Sequence, residues 1–314
     1  MCKRLFVAAV AATIIFCSTG IAKVNYIFSS FRDNGQDGLH LAYSHDGHKW
    51  TALNNDESFI RPEVGGKLMR DPCICQGPDG EFHMVWTSSW WDKGIGIAHS
   101  KDLISWSRQK FIGVMEHESK AMNCWAPEIL YDKKSEIYLI YWSTTIPGRF
   151  PETDKMGDRG RDGQLNHRIY YVTTKNFETY SKAKLLYDDG FNVIDATIVK
   201  DGNRYIMFLK DETKKPVAKK NIRIATSDKL LGPYSHASEP ISPDWVEGPT
   251  AMKIGGYWYL YYDGYTRHNY EGARSKDLKN WEIITDKLSF PKGTKHGTIF
   301  TVSDEVLDRL LEAR

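Results

Sequence analysis

Five stretches of this chain each begin at an ionisable side chain and run directly into an apolar, strand-forming segment. They are Asp71 (DPCICQ), Glu128 (EILYD), Asp195 (DATIVK), Glu247 (EGPTAMKI) and His296 (HGTIFTV). They stand roughly fifty to seventy residues apart, the period of a propeller blade. A ring built from such strands would aim all five groups at one spot. Crowded, buried carboxyls repel one another and separate their pKa values, which is how acid and base chemistry arises at neutral pH.

A second repeat accompanies the first. Polar turns ending in an aromatic residue run from Ser44 to Trp50, Ser100 to Trp106, Thr174 to Tyr180, Ser227 to Tyr234 and Ser275 to Trp281. In such turns a Ser or Asp bonds its own backbone while the aromatic ring covers the edge between sheets, so these are structural punctuation. Between the two markers lie aromatic and β-branched runs at Tyr26, Phe82, Ile137, Tyr205 and Tyr257 that read as strands covered on both faces. Helix signals are nearly absent; only Ser303 is placed to cap a turn, with Val306, Leu307, Leu310 and Leu311 on one face. Residues 24–50 supply outer strands without an inner one, and HGTIFTV at the other end of the chain is the missing piece. The sequence therefore predicts an all-β, five-bladed propeller with four-stranded blades, the fifth closed by N- and C-terminal strands so that no inner edge is left unpaired.

The formal net charge of +2 gives no electrostatic case for nucleic acid, and Lys214, Lys215, Lys219 and Lys220 read as one solvated loop. Lys3 and Arg4 precede an apolar run from Leu5 to Phe16 that is too short to span a bilayer. Residues 1–22 therefore read as a signal peptide, with 23–314 as a single propeller domain. The protein is expected to be exported, periplasmic or secreted; lipidation at Cys17 is the alternative anchor, weakened by the bulky Phe16 before it. Cys73, Cys75 and Cys124 remain, an odd number that implies no complete disulfide framework, with Cys73 and Cys75 packing as small apolar residues. His45 and His48 share a turn without further ligands at a spacing suited to zinc.

If each inner strand starts at the face where its acid sits, the loops 31–38, 87–94, 145–167, 210–221 and 263–271 return to that face. They carry Trp90, Trp91, Arg267 and His268, stacking and hydrogen-bonding groups suited to a sugar ring. The longest, 145–167, reads either as a wall or lid over a pocket or as a mobile surface insertion. Glu128 is expected to contact sugar hydroxyls or to hold an Arg or Lys across the ring. Trp125 is either a core plug or a stacking platform.

In order along the chain, Arg70-Asp71-Pro72, Trp125-Ala126-Pro127-Glu128, Asp195-Ala196, Glu247-Gly248-Pro249-Thr250 and His296-Gly297 resemble glycoside hydrolase family 43 over nearly the whole mature chain. The resemblance implies a five-bladed enzyme that cleaves arabinofuranosides, xylosides and related plant glycans. It places Asp71 as general base, Asp195 as the residue that tunes and orients the acid, and Glu247 as general acid. Inversion of configuration follows, with water between the carboxyls. His296 resembles an inner-strand histidine that in many members lies near a central calcium or water; no dense acidic calcium loop is present, so calcium is optional and no cofactor is required. About seventy residues precede the base motif, more than in many relatives, which leaves Asp33 as a competing base. A sialidase-like propeller is disfavoured, because its boxes place Gly two positions after the Asp and SKDLISW and SKDLKNW do not. The expected activity is that of an exo-acting α-L-arabinofuranosidase on an oligo- or polysaccharide. β-Xylosidase or a galactan- or arabinan-active hydrolase is the alternative, and a non-catalytic glycan-binding propeller is the alternative of another class.

Overall fold

The aromatic runs become the second strands of five sheets, and the segments that open on ionisable residues become the first. The structure, a computed structural model, describes residues 24–158 and 164–313; the signal-peptide reading and Cys17 lie outside them. In chain order the elements are β1 (Asn25–Ser30), β2 (His40–Ser44), β3 (Thr51–Ala52), β4 (Arg70–Gln76), β5 (Phe82–Thr87), β6 (Ile95–Ser100) and β7 (Lys110–Ile112). There follow β8 (Trp125–Asp132), β9 (Ile137–Thr145), β10 (His167–Thr174), β11 (Lys184–Tyr187), β12 (Val193–Asp201), β13 (Arg204–Asp211) and β14 (Asn221–Ser227). The last are β15 (Glu247–Ile254), β16 (Tyr257–Gly264), β17 (Asn269–Ser275), β18 (Trp281–Ile283), β19 (Ile299–Val302) and the helix α1 (Asp304–Glu312).

Antiparallel pairing gives blades β4-β5-β6-β7, β8-β9-β10-β11, β12-β13-β14 and β15-β16-β17-β18, and a closing blade β19-β1-β2-β3 that joins the two ends of the chain. The predicted ring and its closure are observed. In the third blade the outer position is filled by an irregular segment, whose Ser235, Ser238 and Ile241 amides donate to the carbonyls of Thr226, Ile224 and Ile222 at 2.8, 2.8 and 2.9 Å. Pro240 and Pro243 have no N–H to offer a regular ladder there.

Five apolar layers hold the ring, one between each pair of neighbouring blades. Between the first and second blades, for example, Val85 and Ile97 meet Ile140 and Trp142. Cys73 is buried in this layer and, like Cys75 and Cys124, is a free thiol. The polar turns behave as expected: Ser100 Oγ accepts the Leu103 amide at 2.8 Å, Asp102 accepts the Ser105 amide at 2.7 Å, and Trp106 folds back onto the Leu103 carbonyl at 3.2 Å. Two expectations need correction. Ser303 does cap α1, but only Leu307 and Leu310 of the proposed face are buried; Leu311 is exposed, because the short helix meets the ring along a narrow stripe. Lys220 is not part of a solvated loop: it is buried against Asp158 and Glu212.

Candidate active site

Each inner strand begins with one residue too many. In β4, Arg70 pairs with Thr87 and Cys73 with Val85, so Asp71 and Pro72 together oppose one residue. The same shift separates Trp125 from Glu128, Ile194 from Thr197 and Glu247 from Thr250. The first bulged residue takes left-handed backbone in all four: Asp71 (φ 52°), Ala126 (45°), Asp195 (50°) and Gly248 (60°). A bulge of this kind bends the strand and re-aims a side chain. At the fifth strand, His296 stands two residues before Thr298, which exchanges backbone hydrogen bonds with Ser29. It therefore matches Asp71, two before Cys73. Glycine is required at 248 twice over, because a Cβ there would lie 2.3 Å from His296 Cγ and the backbone is already left-handed.

The five ionisable groups thus occupy three levels, not one spot. Asp71, Asp195 and His296 share the bulge level with Ala126 and Gly248. Glu247 stands one residue earlier, at the mouth, and Glu128 two residues further in. Glu128 lies in the central channel, a cavity of about 300 Å³ lined also by Thr197, Thr250 and Thr298. Its Oε2 accepts Tyr141 Oη at 2.8 Å, and burial pushes its carboxyl up to about 7. Among the described residues no Arg or Lys pairs with it, and its depth removes it from the mouth. Asp33, the competing base, sits exposed in the turn after β1.

Around Asp71 the surroundings favour negative charge. Thr87 Oγ1 donates to Oδ2 at 2.8 Å and His296 Nδ1 lies 3.3 Å from Oδ1. Burial would raise its pKa, but the bond and charge of His296, the Arg70 charge and Thr87 together hold it below the usual carboxylate range. The imidazole responds in kind: burial works against its charge, yet Asp71, Asp195 and Glu128 raise it to about 9, so His296 is a cation at neutral pH.

Around Asp195 the balance reverses. It accepts the Gly248 amide at 3.1 Å. Burial, helped by the charges of Glu247 and Asp71 and opposed by His296 and Lys210, raises it to about 6. Glu247, with 31% of its side chain exposed, receives Lys210 Nζ at 3.1 Å. Lys210 is itself buried, 2.7 Å from Glu212 and 5.0 Å over the Tyr265 ring. Directly across the ladder from Glu247 stands Asp263, raised to about 7 by burial and then by the Glu247 charge.

Lys210 and Asp263 were not singled out from the sequence. They belong to a second ring of equivalent positions, Thr87, Ser143, Lys210 and Asp263, each the ladder partner of the residue that precedes the bulge. The first three reach the following blade: Thr87 Oγ1 accepts the Ala126 amide at 2.8 Å, Ser143 Oγ accepts the Asp195 amide at 3.2 Å, and Lys210 meets Glu247. The available signal was a lysine ending the otherwise apolar strand YIMFLK and an aspartate inside YWYLYYDGY.

Trp90, Trp91 and Trp125 come together on one side of the mouth. The rings of Trp90 and Trp91 lie 5.6 and 6.0 Å from that of Trp125, whose Nε1 donates to the Trp90 carbonyl at 2.8 Å. Arg70 stacks on Trp90 at 4.2 Å, and the buried His167 supports Trp125 from beneath at 4.8 Å. Trp125 is thus both wedged and partly open. Arg267 is committed to Glu271, 3.0 Å from Nη2 to Oε2, and to the Asp244 carbonyl. The described part of the 145–167 loop is bound down, with Asp158 accepting Lys214 and Lys220 at 2.8 and 2.9 Å, so it forms a wall against the 210–221 loop. A cavity of about 210 Å³ opens beside Asp263, Tyr265 and His268, but none of Asp71, Asp195 and Glu247 lines it; the acids mark the site better than this cavity does.

The bulge level offers a calcium ion two carboxylates and one imidazole already turned to Asp71, while Ala126 and Gly248 offer no side-chain donor. Calcium takes six to eight oxygens, so these residues fit a hydrated ion and not a caged one. His48, excluded above as a zinc ligand, bonds Tyr259 Oη at 2.9 Å.

Comparison with known proteins adds to this geometry. The description "probable glycosyl hydrolase domain", related to glycoside hydrolase family 43, matches residues 22–308. An α-L-arabinofuranosidase of Bifidobacterium longum is 22% identical over 80% of this chain, which spans only 27% of that protein. A probable arabinan endo-1,5-α-L-arabinosidase A of Aspergillus flavus is 21% identical over 73% of this chain and 68% of its own length. The crystal structure of a thermostable family-43 glycoside hydrolase superposes with a TM-score of 0.57 at 18% identity, covering 79% of this chain and 82% of that one, a likeness of fold.

Proposed function

Because this chain belongs to the family related to glycoside hydrolase family 43, we propose that it is an inverting glycosidase, exo-acting on α-L-arabinofuranosyl groups of an oligo- or polysaccharide. The observation that carries this reading is the pair of opposed carboxylate environments at one mouth, Asp71 favoured as the anion and the Asp195, Glu247 and Asp263 group crowded. Asp71 takes a proton from a water that attacks the anomeric carbon. The bond from that carbon to the leaving oxygen breaks, and the oxygen takes the proton of Glu247. Asp195 orients the acid through the Gly248 amide and withholds negative charge from it below about pH 6. Trp90, Trp91 and Trp125 stack on the sugar, and Arg267 at the rim contacts it through its exposed face. A hydrated calcium, where bound, would meet His296 through water and add positive charge beside Asp71 and Asp195; no step uses it. The 1–22 export signal adds the proposal that the enzyme works in the periplasm or outside the cell.

Arabinose is favoured over xylose and galactose by the names of the curated relatives, and exo over endo action by the wall at 145–158. Glu247→Ala tests the assignment. Turnover of substrates with poor leaving groups should fall about 10²–10⁴-fold, while aryl glycosides with acidic phenols lose far less, because those oxygens need no proton. Equal losses on both would remove Glu247 as the acid. Binding of arabino-oligosaccharide by calorimetry without any hydrolysis by the wild type would favour a non-catalytic glycan-binding protein.

A further inference from the structure

At the far end of the first blade, away from the acids, the ladder brings a histidine pair into direct contact. Cys75, His83 and His99 stand opposite one another across β4, β5 and β6. His83 is buried, His99 half-buried, and their Nδ1 atoms face each other at 2.7 Å. The turn before β5 adds Glu81, half-exposed, whose carboxylate has no hydrogen-bond partner among the described residues. One ligand atom from each of Glu81, His83 and His99 lies within 4.8 Å of the others. We propose that these three residues form a binding site for a zinc-like transition-metal ion, two imidazole Nδ1 atoms and one carboxylate oxygen, with water completing the sphere.

Two features of the surroundings support this. Two imidazoles and a carboxylate are a borderline donor set that suits zinc and its neighbours and offers nothing special to calcium or magnesium. The ring of His83 is already oriented from behind, its Nε2 3.0 Å from Tyr138 Oη and its face covered by Phe177 at 4.3 Å, the outer support that metal-binding histidines characteristically have. Without an ion, one Nδ1 carries the hydrogen shared between the rings. Shifting that hydrogen to the other nitrogen of the same ring frees both lone pairs without net loss of a proton. The rings must then part by about 0.7 Å, since two Zn–N bonds of about 2.0–2.1 Å at a tetrahedral angle hold the nitrogens about 3.4 Å apart. His99 and Glu81 are both open enough to move and to admit the ion. Cys75 stands outside the ligand set.

Cys75 lies in β4 with Asp71, four residues or about 13 Å further along the strand. The ion would therefore pin β5 and β6 to the turn at Glu81 and stabilise the blade without taking part in chemistry at the mouth. The test is calorimetry of the EDTA-treated full chain with zinc chloride, alongside thermal melts with and without zinc. One equivalent should bind and raise the Tm, as any ligand specific for the folded state does. His99→Ala should fold in EDTA with a melt close to wild type but bind zinc at least tenfold more weakly at this stoichiometry, and Tyr138→Phe should weaken binding about tenfold. Absence of saturable binding by the wild type, or equal binding by wild type and His99→Ala, would overturn the site.

Discussion

Asp71 and Asp195 begin their inner strands at the same bulge position, both with left-handed backbone and both well buried, yet they titrate in opposite directions. Burial acts on both alike. What differs is the contact: Asp71 is bonded to the Thr87 hydroxyl and paired with the His296 cation, whereas Asp195 accepts only a backbone amide, and the charges of His296 and Lys210 on it are opposed by those of Glu247 and Asp71. One backbone device repeated around a ring therefore supplies a carboxylate held as an anion and a carboxyl that keeps its proton towards neutral pH. An environment of this kind, not the residue type, decides which carboxyl keeps its proton.

Removing the charge at the anionic position should have the largest effect. Asp71→Asn keeps the shape and the Thr87 contact but loses the base, so kcat should fall by about 10²–10⁴ while sugar binding by calorimetry persists. Full activity in this variant would end the comparison. Lys210→Met would sharpen it from the other side. Lys210 favours the charged forms of Asp195 and Asp263, so its loss should move the alkaline limb of the kcat profile to higher pH. Stability should drop by roughly 1–3 kcal/mol, because Glu212 keeps Lys220 as a partner. An unmoved alkaline limb would show that the lysine does not control the acid.

The smallest effect is read in stability. The value of about 9 for His296 lies above its ordinary 6.5, so its contribution is fully present below about pH 6.5 and is lost as pH rises through about 9. Asp195 and Asp263, also raised, lose theirs over the lower window up to about 6 and 7, so all three make the protein less stable towards alkaline pH. Thermal melts should show the Tm falling between pH 6.5 and 9, and His296→Gln should flatten that limb by an amount on the order of 1–3 kcal/mol. A limb unchanged in the variant would mean that His296 is not the group responsible.

Much of this arrangement was readable beforehand. The blade period, the polar turns and the closing strand at His296 are local patterns, and they survive because propeller blades contact mainly their neighbours in sequence. Lys210 and Asp263 escaped notice because each lies at the end of a strand that looks wholly apolar, and its partner belongs to a different strand. Lys220 was misread for a related reason: four lysines in one loop look alike until Asp158, far away in the chain, is brought against one of them.

The amino-acid order alone determines that there are five blades, where each begins, and that the two ends of the chain close the ring, since these depend on hydrophobic period and turn chemistry. Tertiary structure decides the levels. Whether an acid lies at the mouth, at the bulge or in the channel depends on a register shift of one or two residues, and its protonation depends on charges from other blades. Both are set by long-range pairing and low local dielectric, which no single stretch of sequence contains.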